Sequence, residues 1–368
     1  MSEAPPLPTL LVIPTGVGCT VGGYAGDGLP AARLLAAASG CLITHPNVMN
    51  GAALYWSDRR IHYVEGWALD RFAAAELALA PVAGRRVGLL LDAGIEAELR
   101  ARQLQAAEAC RATLGLSIGP VVTTDAPLGV GLSLGPSGSS WGSLERPDAL
   151  LRAGEKLVAA GATAIAAVAR FPDEPDSEAL AAYRAGSGVD ALAGAEAVIS
   201  HLLVRHLGIP CAHAPALAPL PLDPDLDARA AAEELGHTFL PCVLVGLSRA
   251  PDLVPLGPDD GTPGAWPDGR FGPGQGLTRA GGLLEASCLG AVVAPAGALG
   301  GEAVLACAAR GLPLIAVAGN ACLLQVHGEA LGLEVISASG YAEAAGLVLA
   351  LREGLDPAML RRPLRRLE

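Results

Sequence analysis

Residues 10–23, LLVIPTGVGCTVGG, and residues 41–47, CLITHPN, decide the fold. Leu10 to Pro14 is a short continuous apolar run, the pattern of a strand buried on both faces of a parallel sheet. It opens directly into Gly16, Gly18, Gly22, Gly23, Gly26 and Gly28. Pro30 suits a first helical turn, the helix runs to about Ala38, and Cys41 to Thr44 forms the next strand. This is a βαβ unit. A glycine-rich turn after a first strand is the usual place for phosphate, so Gly16, Gly18, Gly22 and Gly23 are candidate ligand contacts. The spacing departs from the dinucleotide fingerprint, because too many residues separate Gly18 from Pro30 and no acidic residue ends the second strand.

Where that acid would stand, the chain reads Thr44-His45-Pro46-Asn47-Val48-Met49-Asn50. Pro46 keeps His45 extended, at the carboxyl end of strand two, where open α/β sheets hold ligands. Thr44, His45, Asn47 and Asn50 are therefore ligand-binding candidates, against the alternative that they cap a turn and the next helix.

Working outward, Ile61 to Glu65, Val87 to Leu91, Val121 to Thr124 and Ala162 to Ala169 read as further strands, alternating with helices over Trp67–Leu79, Glu96–Leu114 and Pro147–Ala160. Glu65, Asp92 and Asp125 stand at strand ends, and such carboxylates converging on one edge would suit a divalent cation, although no ligand spacing makes that specific. Gly300-Gly301, a helix through Arg310 and the strand Leu312 to Ala318 parallel the first unit in outline, which is either what any βαβ unit looks like, the favoured reading, or a second unit facing the first over a cleft. Gly300 and Gly301 join the ligand candidates, and with Glu302 they suggest a glycosyltransferase-like nucleotide-sugar fold as a weaker alternative. The fold class is α/β: mostly parallel Rossmann-like sheets flanked by helices, in two lobes around a cleft.

The expected organisation is an N-terminal α/β lobe over 1–134, a Gly/Ser linker or anion loop over 135–145 that offers Ser139 and Ser140, a central histidine-rich region over 146–256, a Gly/Pro loop over 257–278 and a C-terminal Rossmann-like segment over 279–368. Composition excludes several function classes. A net charge of −12 argues against nucleic acid, whose affinity rests on clustered Lys and Arg. Lysine occurs once, at Lys156, so there is no Walker-type phosphate loop and no pyridoxal phosphate site is expected. The eight cysteines contain no Cys-x-x-Cys pair and read as reduced core residues. The Pro-rich start lacks a basic region, and no apolar run spans a bilayer, so the expectation is a cytoplasmic protein without a membrane partner. A homo-oligomer is left open.

The chemistry concentrates between Gly186 and Ser248, which holds His201, His206, His213 and His237 with Asp190, Glu196, Glu233 and Glu234. Asp190 to Leu207 reads as one helix, ended by Gly208 and Pro210. At about 100° per residue, Asp190, His201 and Arg205 share one face, Glu196 and Ser200 a second, and His206 looks elsewhere. His213, in a proline-bounded apolar stretch, and His237 would face His201 across a cleft.

Together, the strings Leu42-Ile43-Thr44-His45-Pro46-Asn47, Gly188-Val189-Asp190, Gly194-Ala195-Glu196-Ala197-Val198-Ile199-Ser200-His201, Ala212-His213-Ala214-Pro215-Ala216-Leu217 and Phe239-Leu240-Pro241-Cys242-Val243-Leu244-Val245-Gly246 resemble a family of cyanobacterial and plastid proteins catalogued as a domain of unknown function. The resemblance covers nearly the whole chain and implies a cytoplasmic protein of a photosynthetic lineage, with no activity attached. Two functions remain. One is a transferase or hydrolase acting on a small polar or phosphorylated metabolite, with His201 or His213 as acid/base and Asp190 or Glu196 as orienting partner, because a histidine titrates near working pH and a carboxylate fixes its tautomer. The other is a ligand-sensing or interaction protein without chemistry.

Overall fold

The computed structural model describes residues 4–24, 27–50, 58–236, 239–257 and 282–364. In chain order, β1 (Thr9–Leu11) leads through the glycine-rich loop to α1 (Leu29–Ser39), β2 (Leu42–Thr44), the one-turn α2 (Pro46–Met49), β3 (Ile61–Tyr63), α3 (Gly66–Ala73) and β4 (Leu77–Ala80). The middle carries β5 (Val87–Leu91), α4 (Ala97–Leu114), β6 (Ile118–Thr123), β7 (Val130–Leu134), β8 (Ser140–Leu144), α5 (Pro147–Ala159), β9 (Ala164–Arg170), α6 (Glu178–Arg184), α7 (Ala193–Leu207) and β10 (Cys211–Ala216). Then follow α8 (Ala228–Gly236), α9 (Phe239–Leu247), β11 (Asp252–Pro255), β12 (Ala291–Pro295), α10 (Glu302–Ala309), β13 (Leu314–Val317), α11 (Gly328–Leu331), β14 (Ile336–Ala338) and α12 (Tyr341–Arg352).

Two parallel sheets organise these elements. The larger runs β14-β13-β12-β1-β2-β3, and the smaller β10-β9-β5-β6. Outward from β1, the larger sheet has the doubly wound 3-2-1-4-5-6 order, with the whole stretch from β4 to β11 inserted between its third and fourth strands. Strands β1, β5 and β12 are buried along their full length, as their apolar runs require.

This arrangement corrects the expected organisation. The N- and C-terminal βαβ units do not face each other over a cleft: β1 pairs directly with β12, Thr9 opposite Ala291 and Leu11 opposite Val293, so both belong to one sheet. The lobe boundaries therefore do not fall at 134 and 279. The Gly/Ser stretch 135–145 is no linker either; it is the tip and second strand of the β7–β8 hairpin, closed by Gly135 N–H donating to the Ser139 carbonyl at 2.8 Å. That hairpin lies on the start of α7, where a Cβ on Gly142 would come 2.1 Å from the Ala195 Cα; only glycine permits the approach. The helix expected over Trp67–Leu79 stops at Ala73, and Leu77–Ala80 forms a strand paired antiparallel with β11. Six of the eight cysteines are buried core residues as expected, but Cys288 is exposed and Cys322 half-buried. Most of the Gly/Pro stretch 257–278 lies outside the described residues.

The β1/β12 switch point, where this strand order usually holds a dinucleotide, is filled by the chain itself. Val326 N–H donates to Gly297 O at 2.8 Å, Thr20 N–H to Ala321 O at 2.8 Å, and Leu323 N–H to Val17 O at 2.9 Å.

Candidate functional site

The carboxyl ends of β2 and β3 meet α7 and β10 of the smaller sheet's layer around a cavity of about 100 Å³. His45 caps α2 in the extended conformation that Pro46 imposes. Its Nε2 accepts the Ile13 N–H at 3.1 Å, which fixes the proton on Nδ1. Asn47 Nδ2 donates to Ile13 O (3.2 Å) and Gly22 O (2.8 Å), Thr44 Oγ1 donates to Leu11 O (2.9 Å), and Asn50 accepts from the Tyr63 hydroxyl (2.8 Å). These four residues clasp the loop after β1 and neighbouring strands, while His45, Asn47 and Asn50 also line the cavity. Burial pushes the His45 imidazole down to about 4, helped by nearby His201. Ring-nitrogen NMR is expected to show His45 as the fixed Nδ1–H tautomer throughout pH 5–8; a protonation step within that range would refute the assignment.

Several donors of the expected anion cradles already have partners inside the protein. The Val21 and Gly22 amides donate to Asn320 Oδ1 and Asp27 Oδ1. A Cβ on Gly18 or Gly23 would meet the Gly188 or Cys19 carbonyl oxygen at 2.8 or 2.1 Å. Ser140 N–H donates to Gly16 O, and its hydroxyl joins Ala191 O (2.8 Å) to the Gly194 amide (3.0 Å). Ser139 pairs with the Ser137 hydroxyl. Beside Gly300 and Gly301, the start of α10 is held by Asp70, whose Oδ1 accepts the Ala303 N–H at 3.0 Å, and Glu302 pairs with Arg71. Gly16, Gly18, Gly22, Gly23, Ser139, Ser140, Gly300 and Gly301 thus position loops and helix starts. His237 lies outside the described residues.

The strand-end carboxylates do not converge. Asp92 accepts from the amides of Gly94, Leu128 and Arg170 at the β5/β9 switch point, and Asp125 pairs with Arg152. Among the described residues no three His, Cys, Asp or Glu side chains are grouped to hold a metal ion.

Two histidine–carboxylate pairs face the cavity. Glu65, at the end of β3, caps α3: its Oε2 accepts the Trp67 and Ala68 amides at 2.9 and 3.3 Å, and its Oε1 lies 3.1 Å from His201 Nε2. Gly66 makes room for that imidazole, since a Cβ there would come 2.9 Å from it. His213, on β10, has Nε2 3.3 Å from Glu196 Oε2 and Nδ1 against the Ser200 hydroxyl. Glu196 and Ser200 share a face one turn apart on α7, as the periodicity predicts, and Gly208 ends that helix in the left-handed conformation.

Asp190 departs from the expectation. It precedes α7, which starts at Ala193, so its relation to His201 is not set by helical spacing; its Oδ1 accepts the Leu192 N–H at 2.9 Å, a bond that competes with helix. It still lines the cavity, together with Glu233 of α8, which accepts from the Tyr183 hydroxyl at 2.8 Å. Glu233 stood in the histidine-rich stretch with no role visible in sequence, and Glu65 was visible only as one of several strand-end acids. His206 sits on another face of α7, paired with Glu155 at 2.8 Å.

Desolvation governs the titration of these groups. Burial raises Glu65 to about 8 despite its two amide donors, and burial followed by the Glu196 charge raises Asp190 to about 7. Burial and His213 lower His201. Burial thus works against charge on both Glu65 and His201. A carboxyl that keeps its proton to about pH 8 in the native state, against 4.5 ordinarily, contributes stability that is full below about 4.5 and is lost as pH rises towards 8. Glu65→Gln is expected to flatten that decline and to stabilise the protein by about 1–3 kcal/mol at pH 8.5. Denaturant unfolding across pH 5–9 checks this; destabilisation at pH 7 would mean an ion pair instead.

This is an α/β protein of two parallel sheets with an acidic, histidine-bearing cavity between them. Residues 8–361 match the family described as "protein of unknown function (DUF3326)", and the chain belongs to that family. It is also 54% identical over 354 residues, 96% of this chain and 93% of the other, to a protein of Synechococcus sp. (strain ATCC 27144 / PCC 6301 / SAUG 1402/1) called an uncharacterized lipoprotein. No solved structure matches the chain. Among the described residues no helix is long and apolar enough to cross a membrane.

Proposed function

We propose that the protein is an acid–base enzyme, a hydrolase or transferase, that acts on a small polar molecule in the cavity between the sheets. The observation that carries this reading is the pair of imidazole–carboxylate contacts, His213 with Glu196 and His201 with Glu65, brought to one cavity from different layers. Glu196 accepts the Nε2–H of His213, which leaves Nδ1 as the base beside the Ser200 hydroxyl. His213 would take the proton of the attacking water or acceptor hydroxyl through Ser200, whose oxygen accepts that proton as its own passes to Nδ1. Asp190, held protonated up to about pH 7, would donate to the leaving group.

The charge of the lining narrows the substrate. With Glu65 and Asp190 holding their protons, the Glu196 carboxylate supplies charge to a cavity whose described lining holds no arginine or lysine. That field favours neutral or cationic molecules over phosphorylated ones. The glycosyltransferase-like reading loses its feature, because Asp70 and Arg71 engage the start of α10. A ligand-sensing role without chemistry is favoured by one observation: Ser200 is only 2% exposed and a poor nucleophile in this state. The pure protein, incubated with metabolite mixtures and followed by mass spectrometry, should consume a neutral or cationic compound that His213→Gln leaves intact. Equal consumption by both proteins, or none by the wild type, sinks the catalytic reading.

A further inference from the structure

Beside the acid–base cavity lies a larger chamber of about 310 Å³, walled by α6, the segment after β10 and the start of α9. Five residues, Asp190, Leu192, Pro215, Glu233 and Phe239, line both spaces, so the chamber opens against the wall that carries the acid–base groups. Its remaining surface is dominated by apolar side chains such as Leu180, Leu217, Leu220 and Leu226. Several of the carboxylates on its border are engaged: Asp173 with Arg170 and the Ala218 amide, Asp223 with the Asp225 amide, Glu234 with Arg184, and Glu233 with the Tyr183 hydroxyl. What remains open to an occupant is mostly hydrocarbon surface, with Gln103, Glu174 and Ser177 as further polar residues of the lining.

We infer that the ligand is amphipathic: a neutral or cationic head lies among Asp190, Glu196 and His213, and a single alkyl or prenyl arm fills the chamber. The head assignment rests on the acid–base reading of the polar cavity, and the arm rests on the chamber alone. Ligand pockets combine a mostly apolar lining with a few convergent polar groups in this way, on a scale that begins near 300 Å³. At roughly 30 Å³ for a water-sized volume the chamber takes roughly ten such volumes, which sets the arm at about ten carbons. A phosphate or carboxylate head would meet the carboxylates of the polar cavity with no cation to offset them.

The test uses the full chain and n-alkylamines from butyl to dodecyl, below their micelle concentrations, with binding measured by calorimetry. Affinity should tighten about fourfold per added methylene and level off near ten carbons. Ala179→Trp, which plugs the chamber from α6, should weaken decylamine at least tenfold and leave butylamine unchanged. Leu217→Gln is a second, independent variant, and circular dichroism verifies that each is folded. Affinity that is flat with chain length, or a chain-length dependence that both folded variants retain, overturns the chamber. Decyl sulfate binding as tightly as decylamine overturns the placement of the head. The acid–base reading fails separately: if no metabolite is consumed while the chain-length dependence persists and is lost in Ala179→Trp, the chamber stands and the protein is a binder of amphipathic molecules.

Discussion

Arg85→Ala is expected to destabilise the protein by about 3–5 kcal/mol and to lower its unfolding midpoint by roughly 5 °C. The Arg85 side chain is 0% exposed and that of Asp252 only 3%. Its Nη2 lies 2.6 Å from Asp252 Oδ1, its Nη1 donates to Thr163 O at 2.7 Å, and its Nε donates to Ala250 O. One guanidinium thus joins the start of β5, the turn before β9 and the approach to β11, which are far apart in the chain. Burial lowers the pKa of the guanidinium, and the Asp252 carboxylate beside it opposes that shift. Truncation removes the cation but leaves a carboxylate in a medium that solvates it poorly, and it strips a partner from two carbonyls. Arg85→Met with Asp252→Leu removes both charges and should recover most of the loss, because desolvation of the pair is then no longer opposed by pairing alone. Denaturant unfolding of the two single variants and the double variant measures this; a loss under about 1 kcal/mol in Arg85→Ala would show that water reaches the pair.

Much of the local structure was legible because local chemistry sets it. The apolar run at Leu10, the Pro46 that holds His45 extended, and the Gly208 that ends α7 each act over a few residues, and each behaves as its chemistry requires. The pairing of β1 with β12 was not legible, since two strands about 280 residues apart carry no mark of their partner. Gly135 to Ser140 read as a linker because a hairpin tip and a flexible joint ask for the same small residues; what separates them, the fit of Gly142 against Ala195, is tertiary. The glycine-rich loop misled for a related reason. Its amides are free in any sequence-level account, and here Asp27 within the loop accepts that of Gly22 while, from a distance, Asn320 and the Ala321 carbonyl accept those of Val21 and Thr20. Within the site, Glu196, Ser200 and His201 follow from helical geometry, whereas the approach of Glu65 to His201 depends on how two sheets pack.

His213→Gln is expected to lower turnover by about 10²–10⁴-fold without loss of the fold, because glutamine can still hydrogen-bond Glu196 and Ser200 but cannot accept the proton of the attacking group. A rate loss alone does not separate a base from a positioning residue, and the pH profile does. Asp190 must be protonated to act as the acid, so activity should fall as pH rises through about 7. The Glu196 charge is the second cause, after burial, of that raised value. Glu196→Gln removes a nearby negative charge, the Asp190 proton is then held less tightly, and the alkaline limb should move to lower pH while the maximal rate falls. Asp190→Asn should lower the rate and abolish that limb. An alkaline limb unmoved by Glu196→Gln and still present in Asp190→Asn would take the acid role away from Asp190, whatever the effect of His213→Gln on the rate.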